Sequence, residues 1–254
     1  MIPKIVHQIW IGSKPPPTAM LDSWRSFCDA QGWSYRFWND EKDPLFDPLR
    51  EKIDALREIP GKADCMRYLI LERHGGIYAD ADTVALRPFD TGLLESDFCA
   101  YENEFVRPNL LANTLLGFAA GSDVMRGCIE AIATRPPGPA FQFCGPYLLT
   151  EIVALHKKRL ALGAPGRDVR ILPSRHFYPV HWTAAPAPGI RRPINGEPDA
   201  EIYTKHVWNG SRDARATPDQ LEGIKRAEVI ALVERELGID DESLARCRLL
   251  PKSA

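Results

Sequence analysis

Asp80 and Asp82 stand two residues apart, directly after the apolar run Ile77-Tyr78-Ala79 that Gly75-Gly76 introduces. Carboxylates so paired suit a hard divalent cation, Mn²⁺ or Mg²⁺, which takes oxygen ligands and completes its shell with water and substrate phosphate. That chemistry points to a phosphorylated substrate. The bland alternative is a strand end whose carboxylates face water, since Asp-x-Asp arises often by chance. Context favours the functional reading, because open α/β sheets bind ligands at the carboxyl ends of their strands. Upstream, Asp64 and Arg67 are three residues apart and share one helical face. They read either as a surface ion pair of little energetic weight or as a carboxylate for a sugar hydroxyl and a guanidinium for a phosphate or sugar oxygen. Spacing alone leaves both open.

Two aromatic positions and one imidazole complete the set. Trp10 closes the first apolar strand beside Gly12; such a tryptophan is usually core, yet its face can receive a flat base. His206 and Trp208 precede Asn209-Gly210-Ser211. A lone histidine is more often structural than a ligand. If the last strand returns to the crevice, the His206 imidazole can complete a metal shell with Asp82.

These residues need elements to carry them. Ile5 to Gly12 and Ser34 to Trp38 read as strands. Leu21 to Gln31 reads as a helix closed by Gly32, Leu49 to Ile59 as a helix before Pro60-Gly61, and Ala63 to His74 as a stronger helix stopped by Gly75. Met66, Leu69 and Ile70 supply that helix's apolar face, and Ile77-Tyr78-Ala79 is a short strand leading into Asp80. Strand, helix and strand at these lengths predict parallel crossovers and an α/β sheet. Further strands are expected at Phe98–Tyr101, Leu115–Ala119, Val169–Leu172 and Ala200–Val207. Helices are expected at Asp123–Thr134, Pro146–Leu162 and Pro218–Leu237, with an ordered proline-rich loop from Phe177 to Pro198.

The bulk properties bound the function. A chain of 254 residues with 44% hydrophobic and 26% charged residues is that of a soluble globular protein. Its net charge of −2 provides no global field for nucleic acid, so no nucleic-acid partner is expected. No apolar run reaches the roughly 18 residues of a membrane span, and Met1 to His7 lacks a signal-peptide core; the expected location is cytoplasmic. Cys28, Cys65, Cys99, Cys128, Cys144 and Cys247 are scattered, which predicts reduced thiols rather than a disulfide frame or a zinc site.

Taken in order, several segments resemble one family. Ile2 to Gly12 is similar to its opening strand and Trp38-Asn39-Asp40 to the end of its second. Ala63-Asp64-Cys65-Met66-Arg67-Tyr68 followed by Gly75-Gly76-Ile77-Tyr78-Ala79-Asp80-Ala81-Asp82 is similar to its core signature. The family is that of glycosyltransferases with a sugar-binding region containing a DXD motif. It includes initiating α-mannosyltransferases, bacterial capsule and lipopolysaccharide transferases, and relatives of the clostridial glucosylating toxins. The resemblance covers roughly residues 2 to 210. It is weakest between Pro88 and Arg167, where only Asn113 and Cys144-Gly145-Pro146 match.

The resemblance implies a GT-A fold, a Rossmann-like nucleotide-binding sheet flanked by helices. It implies a nucleotide-sugar donor, UDP-linked before GDP-linked, a divalent metal, retention of anomeric configuration and a glycan or lipid-linked acceptor. Carried over, Trp10 stacks on the base, Asp64 and Arg67 hold the donor sugar, and Tyr78 flanks the nucleotide. Asp80 contacts the ribose and the metal shell, Asp82 ligates the metal, His206 supplies a further ligand or a diphosphate contact, and Trp208 closes over the donor. Apart from the resemblance, Arg67 and Lys205 are candidates for adding positive potential as charge builds on the leaving diphosphate. One departure is Arg212, where family members often carry tryptophan soon after the Gly-Ser pair. The transferase domain is expected over residues 1–216, with 217–254 a helical extension packed on it. That last helix offers an apolar face for packing; its mixed charge weakens the alternative of a peripheral membrane contact.

Two rivals use the same residues. Asp80-Ala81-Asp82-Thr83-Val84 fits the Asp-x-Asp-x-Thr/Val pattern of haloacid-dehalogenase-like phosphatases, with Asp80 the phosphorylated nucleophile. The strand before it is short for that fold, and 79 residues lie upstream. A subunit that binds a nucleotide sugar or glycan without turnover is the other; the intact Asp64, Arg67, Asp80 and Asp82 argue against a decayed site.

Overall fold

The computed structural model describes residues 1–191, 193, 199–208, 228, 230–240 and 242. In chain order the elements are β1 (Ile5–Ile9), α1 (Thr18–Gln31), β2 (Ser34–Trp38), α2 (Arg50–Ala55), α3 (Ile59–His74), β3 (Gly76–Ala79), β4 (Thr83–Ala85), β5 (Asp97–Tyr101), β6 (Leu111–Phe118), α4 (Asp123–Thr134), α5 (Ala140–Phe143), α6 (Pro146–Ala161), β7 (Val169–Leu172) and β8 (Thr204–His206). Six strands form one sheet in the order β2-β1-β3-β6-β5-β7. The β1/β2, β1/β3 and β5/β7 pairs are parallel, while β6 is antiparallel to β3 and β5. Five strands therefore point their carboxyl ends at one edge, and β6 begins there. Helices α3, α4 and α6 cover one face; α1 and the segment at Phe177-Tyr178 cover the other. This is the single-domain α/β architecture of GT-A type expected from the sequence.

The Gly75-Gly76 pair forms the joint between α3 and β3. Gly75 (φ 61°) ends the helix and Gly76 (φ 100°) starts the strand, both in the region that excludes most side chains. A Cβ on Gly76 would lie 2.5 Å from the Ile5 Cγ2 and 2.6 Å from the Ile5 carbonyl. β3 can therefore lie flush against β1 only with glycine there.

Several boundaries differ from expectation. β1 stops at Ile9, and Trp10 leaves the strand with its N–H donating to the Trp38 carbonyl at 2.9 Å. The helix expected over Leu49–Ile59 is a 3₁₀ turn at Pro44–Leu49 followed by the short α2. Pro60 does not stop a helix there. It sits in the first turn of α3, where its missing N–H costs nothing. The last strand is only Thr204–His206, and it pairs antiparallel with β4 in a separate ribbon, opposing Thr83 to His206. β4 has no alternating pattern long enough to be seen in the sequence.

α3 is the central helix. Every residue from Asp64 to Leu71 is buried, not one face of three. The cysteines at 28, 65, 99, 128 and 144 are free and buried, as reduced thiols should be. Ile230, Leu237 and Ile239 pack with Leu86, Val180 and Ile202, and residues 230–236 are helical. Residues 194–198 of the proline-rich loop, the expected domain boundary at 216, residues 218–227 of the last helix and Asn209-Gly210-Ser211-Arg212 lie outside the described residues. No described helix is long and apolar enough to cross a membrane.

Candidate active site

β3 ends at Ala79, so Asp80 emerges from the sheet edge where β1, β5 and the start of β6 converge. Its backbone is pinned on three sides. Its N–H donates to the Thr114 carbonyl (2.8 Å), while its own carbonyl accepts from the Gln8 amide (3.1 Å) and the Thr83 hydroxyl (2.6 Å). Tyr35 holds Gln8 (2.9 Å), and Trp24 of α1 donates its indole N–H to the Thr83 hydroxyl (3.0 Å). The turn between the two aspartates is thus fixed from the sheet face that α1 covers. Asp82 then enters the β4/β8 ribbon, accepting the Val207 N–H on its carbonyl at 2.9 Å.

Arg67 lies beneath this turn with only 4% of its side chain exposed. Its Nη2 is 2.8 Å from Asp64 Oδ1 and 3.1 Å from Asp80 Oδ1. Its Nη1 donates to the Asn113 carbonyl and its Nε to the Ala63 carbonyl at 3.4 Å. The guanidinium lies 4.5 Å from the Tyr78 ring centre, and the Tyr78 hydroxyl donates to Asp80 Oδ1 at 2.7 Å. Asn113 Nδ2 donates to Asp64 Oδ1 at 2.8 Å. A surface ion pair between Asp64 and Arg67 is therefore excluded. Two carboxylates share one buried guanidinium, an arrangement stable only when well hydrogen-bonded.

The third group is His206. Its Nε2 is 2.8 Å from Asp82 Oδ1, and its buried Nδ1 has no hydrogen-bond partner. Ligand atoms of Asp80, Asp82 and His206 all lie within 4.8 Å of one another. Two carboxylates and an imidazole make a donor set that fits Mn²⁺ or Mg²⁺.

The charges agree. Burial raises the pKa of Asp80 despite the opposing pull of Arg67, and pushes Asp64 up to about 7 against the same pull. Burial alone would lower the His206 pKa, but the facing Asp82 and Asp80 carboxylates outweigh it and raise it. Three carboxylates facing one guanidinium and one imidazole leave an excess of negative potential that a further cation relieves.

The remaining expected residues are distributed around this centre. Trp10 is half-buried at the end of β1 and anchors its indole N–H on the Lys14 carbonyl at 2.8 Å. Tyr78 is wholly buried beneath Arg67, so it meets the site through its hydroxyl on Asp80; its ring is not placed to flank a ligand. Trp208 packs on His206 with ring centres 3.9 Å apart and is held by its indole N–H on the Val180 carbonyl at 2.8 Å. Lys205 alternates with His206 along β8 and lies 4.0 Å from Glu234. Nothing in the sequence marks Gln8 or Trp24 as site residues, and Thr83 enters there only as part of the phosphatase-like pattern. The pairing of β1 with β3 brings Gln8 to the turn, and the packing of α1 on β4 brings Trp24 to Thr83.

A comparison with known families matches residues 19–99 to the glycosyltransferase sugar-binding region containing the DXD motif. The uncharacterized glycosyltransferase L373 of Acanthamoeba polyphaga mimivirus is 30% identical over 190 residues, covering 70% of this chain and 74% of that protein. Inositol phosphoceramide mannosyltransferase 3 of Schizosaccharomyces pombe is 29% identical over 153 residues, covering 58% of this chain and 40% of that protein. Among solved structures, the UDP-bound glycosyltransferase domain of the YGT toxin aligns over 67% of this chain and 79% of its own, with a TM-score of 0.46 and 10% identity.

Proposed function

This chain belongs to the glycosyltransferases with a DXD-containing sugar-binding region, and we propose that it is a metal-dependent, retaining enzyme. Its donor is a nucleotide sugar, UDP-linked in preference to GDP-linked, and its acceptor a glycan or lipid-linked hydroxyl. The observation that carries this reading is the convergence of Asp80, Asp82 and His206 at the carboxyl edge of the sheet, directly above the Asp64–Arg67–Asn113 network. We place the activity in surface polysaccharide synthesis in the cytoplasm, with residues 217–254 as an extension of the transferase domain.

Asp82, Asp80 and His206 would hold Mn²⁺ or Mg²⁺, which when bound supplies Lewis-acid stabilisation of the leaving diphosphate. The chain's own residues do the rest. Trp10 offers a ring at the β1 end for the base. Asp64, with Oδ1 fixed by Asn113 and Arg67, presents a carboxylate edge for sugar hydroxyls. Arg67 keeps Asp64 and Asp80 in one orientation and lends positive potential beneath the site, so the machinery is preorganised before substrate arrives. The bond from the anomeric carbon to the phosphate oxygen breaks as the acceptor oxygen attacks from the same face. The acceptor's proton passes to the departing phosphate oxygen. The Tyr78 hydroxyl and Arg67 both bond Asp80 Oδ1 and hold the carboxylate in one orientation.

The test is thermal stability with UDP and GDP, each with and without Mn²⁺. A ligand at a hundred times its dissociation constant adds about 2.7 kcal/mol, a shift of roughly 5–10 °C for a domain of this size. A shift requiring both one nucleotide and the metal is expected. No shift with any combination would remove the nucleotide-sugar reading.

A further inference from the structure

His206 is the least tied of the three groups at the candidate metal site. Its Nε2 faces Asp82 Oδ1 at 2.8 Å, while its buried Nδ1 has no hydrogen-bond partner. A histidine that ligates a metal is ordinarily oriented by a bond from its second ring nitrogen. Ring packing takes that place here: the Trp208 ring centre lies 3.9 Å from that of His206.

Trp208 occupies a strained backbone conformation. Its φ of 59° lies in the left-handed region, which a bulky side chain rarely adopts. Such a conformation persists only where the surroundings over-determine it. Two neighbours do so. The Val180 carbonyl accepts the Trp208 indole N–H at 2.8 Å, and His181 meets the indole edge-on with ring centres 5.6 Å apart.

His181 is itself fully buried and uses both ring nitrogens. The Thr183 N–H donates to Nδ1 at 3.3 Å, with the Thr183 hydroxyl 2.7 Å from the same atom. Nδ1 is therefore an acceptor, and Nε2 carries the proton that it donates to Glu102 Oε1 at 2.7 Å. Glu102 stands just past the end of β5 and is only 3% exposed. It also accepts the Trp182 indole N–H at 3.2 Å, and its own N–H donates to the Leu110 carbonyl at 2.9 Å. The turn that carries His181 is closed by the Val180–Pro186 bridge and by the His181 N–H on the Ala185 carbonyl at 2.8 Å, which holds the imidazole against Glu102. Neither Glu102 nor His181 takes part in the transfer chemistry described above, yet burying a carboxylate is costly unless it is well bonded.

We propose that Glu102 and His181 are positioning residues for the His206 imidazole. Glu102 fixes His181 in one tautomer and one plane, His181 fixes Trp208, and Trp208 holds His206 toward Asp82 in place of the bond that Nδ1 lacks. This role rests on the metal-dependent transferase reading and goes beyond it, because it makes the cation affinity of the site depend on two residues outside it. The competing explanation is that the pair only ties the turn at 180–186 to β5. That explanation predicts lost stability with no change at the metal site.

The experiment follows free Mn²⁺ by its EPR signal as the full chain is titrated with UDP present. His181→Gln keeps a donor for Glu102 but removes the ring beside Trp208, and it should weaken Mn²⁺ affinity by about tenfold or more. Glu102→Leu should do the same, whereas Glu102→Gln, which keeps an oxygen for His181, should retain most of the affinity. Glu104→Ala cuts the bonds of the same loop to the Ser174 N–H and hydroxyl without touching the path to His206, and it should leave Mn²⁺ affinity unchanged. In a Trp208→Ala background His181→Gln should have no further effect, since residues acting in series are not additive. Mn²⁺ affinity of His181→Gln within about twofold of wild type, an equal loss in Glu104→Ala, or additive losses in the double variant would overturn the proposal. Where His181→Gln does not fold, the Glu102→Leu and Glu102→Gln pair decides it, and equal affinity in those two would overturn it as well. Wild-type protein that takes up no Mn²⁺ with UDP would instead sink the metal-dependent transferase reading itself.

Discussion

His7 gives the structure a pH dependence that can be worked through in advance. It lies on β1, fully buried, and uses both ring nitrogens. Nδ1 accepts the Trp38 indole N–H at 3.2 Å, so Nδ1 carries no proton; Nε2, 3.0 Å from the Gly75 carbonyl, must then be the donor. The ring is thus neutral by construction and ties β1 and β2 to the glycine joint that launches β3 toward Asp80. Protonating Nδ1 would set an N–H against the Trp38 N–H. Burial lowers the His7 pKa from 6.5 to about 4; the Gly75 hydrogen bond opposes this, while His74 and Arg36 lower it further.

The sign follows from linkage. Below pH 6.5 the unfolded chain takes up the proton and the folded chain does not, so the unfolded state gains. His7's contribution is whole above pH 6.5 and is lost as pH falls to about 4. Each pKa unit is worth 1.36 kcal/mol, so the full loss is about 3 kcal/mol, of which roughly 2 kcal/mol is gone by pH 5. Urea unfolding of wild type and His7→Gln at pH 7, 6 and 5 isolates the term. Gln keeps a donor for Gly75 but cannot titrate, and the other titrating groups cancel in the difference. The stability gap between the two proteins should shrink by about 2 kcal/mol from pH 7 to pH 5. Parallel curves would show that the imidazole is not held neutral, and the reasoning from its two bonds would fail.

Asp82→Ala should remain folded and lose transfer by a factor of about 100 or more, comparable to removing one charge-stabilising group from a reacting centre; near-normal metal-dependent turnover would refute the metal assignment. Arg67→Met should cost about 3–5 kcal/mol by leaving the Asp64 and Asp80 carboxylates buried without a counter-charge, and stability measured by denaturant should recover as pH falls and the carboxylates protonate. Gly76→Ala should cost roughly 2 kcal/mol or more, because the residue sits at positive φ and its Cβ meets the Ile5 backbone; a melting temperature within a degree of wild type would contradict the close approach of β1 and β3. Tyr78→Phe should lower transfer several-fold through loss of the 2.7 Å bond that orients Asp80, with donor affinity nearly unchanged, a split read directly from kcat against KM.

Much of the frame was legible because each signal was local. Ser34–Trp38, Asp123–Thr134 and Val169–Leu172 have the bounds that their alternation or helical spacing predicts. Gly75 stops α3 where a left-handed residue must. What escaped was non-local. β4 is three residues long and exists because β8, more than a hundred residues on, pairs with it. The distance of His206 from Asp82 is likewise set by that pairing, which opposes Thr83 to His206 and so brings the imidazole within 2.8 Å of the carboxylate one residue before Thr83. The sequence shows a histidine and an aspartate, not the ribbon that joins them.

The Asp64–Arg67 pair shows why spacing cannot rank function. On an exposed helix the same two residues would be worth a fraction of a kcal/mol. They become a network because α3 is covered on all sides and because β6 runs antiparallel, bringing Asn113 from its start to the same edge as the carboxyl end of β3. Asn113 then serves both partners, its amide bonding Asp64 and its carbonyl receiving Arg67. The reversed strand thus supplies what five parallel strands do not. It closes the guanidinium from below and places the start of β6 next to Asp80, which stands with Asp82 beside His206. The order of strands, rather than the Asp-x-Asp motif alone, is what gathers Asp64, Arg67, Asn113 and Asp80 at one edge of the sheet.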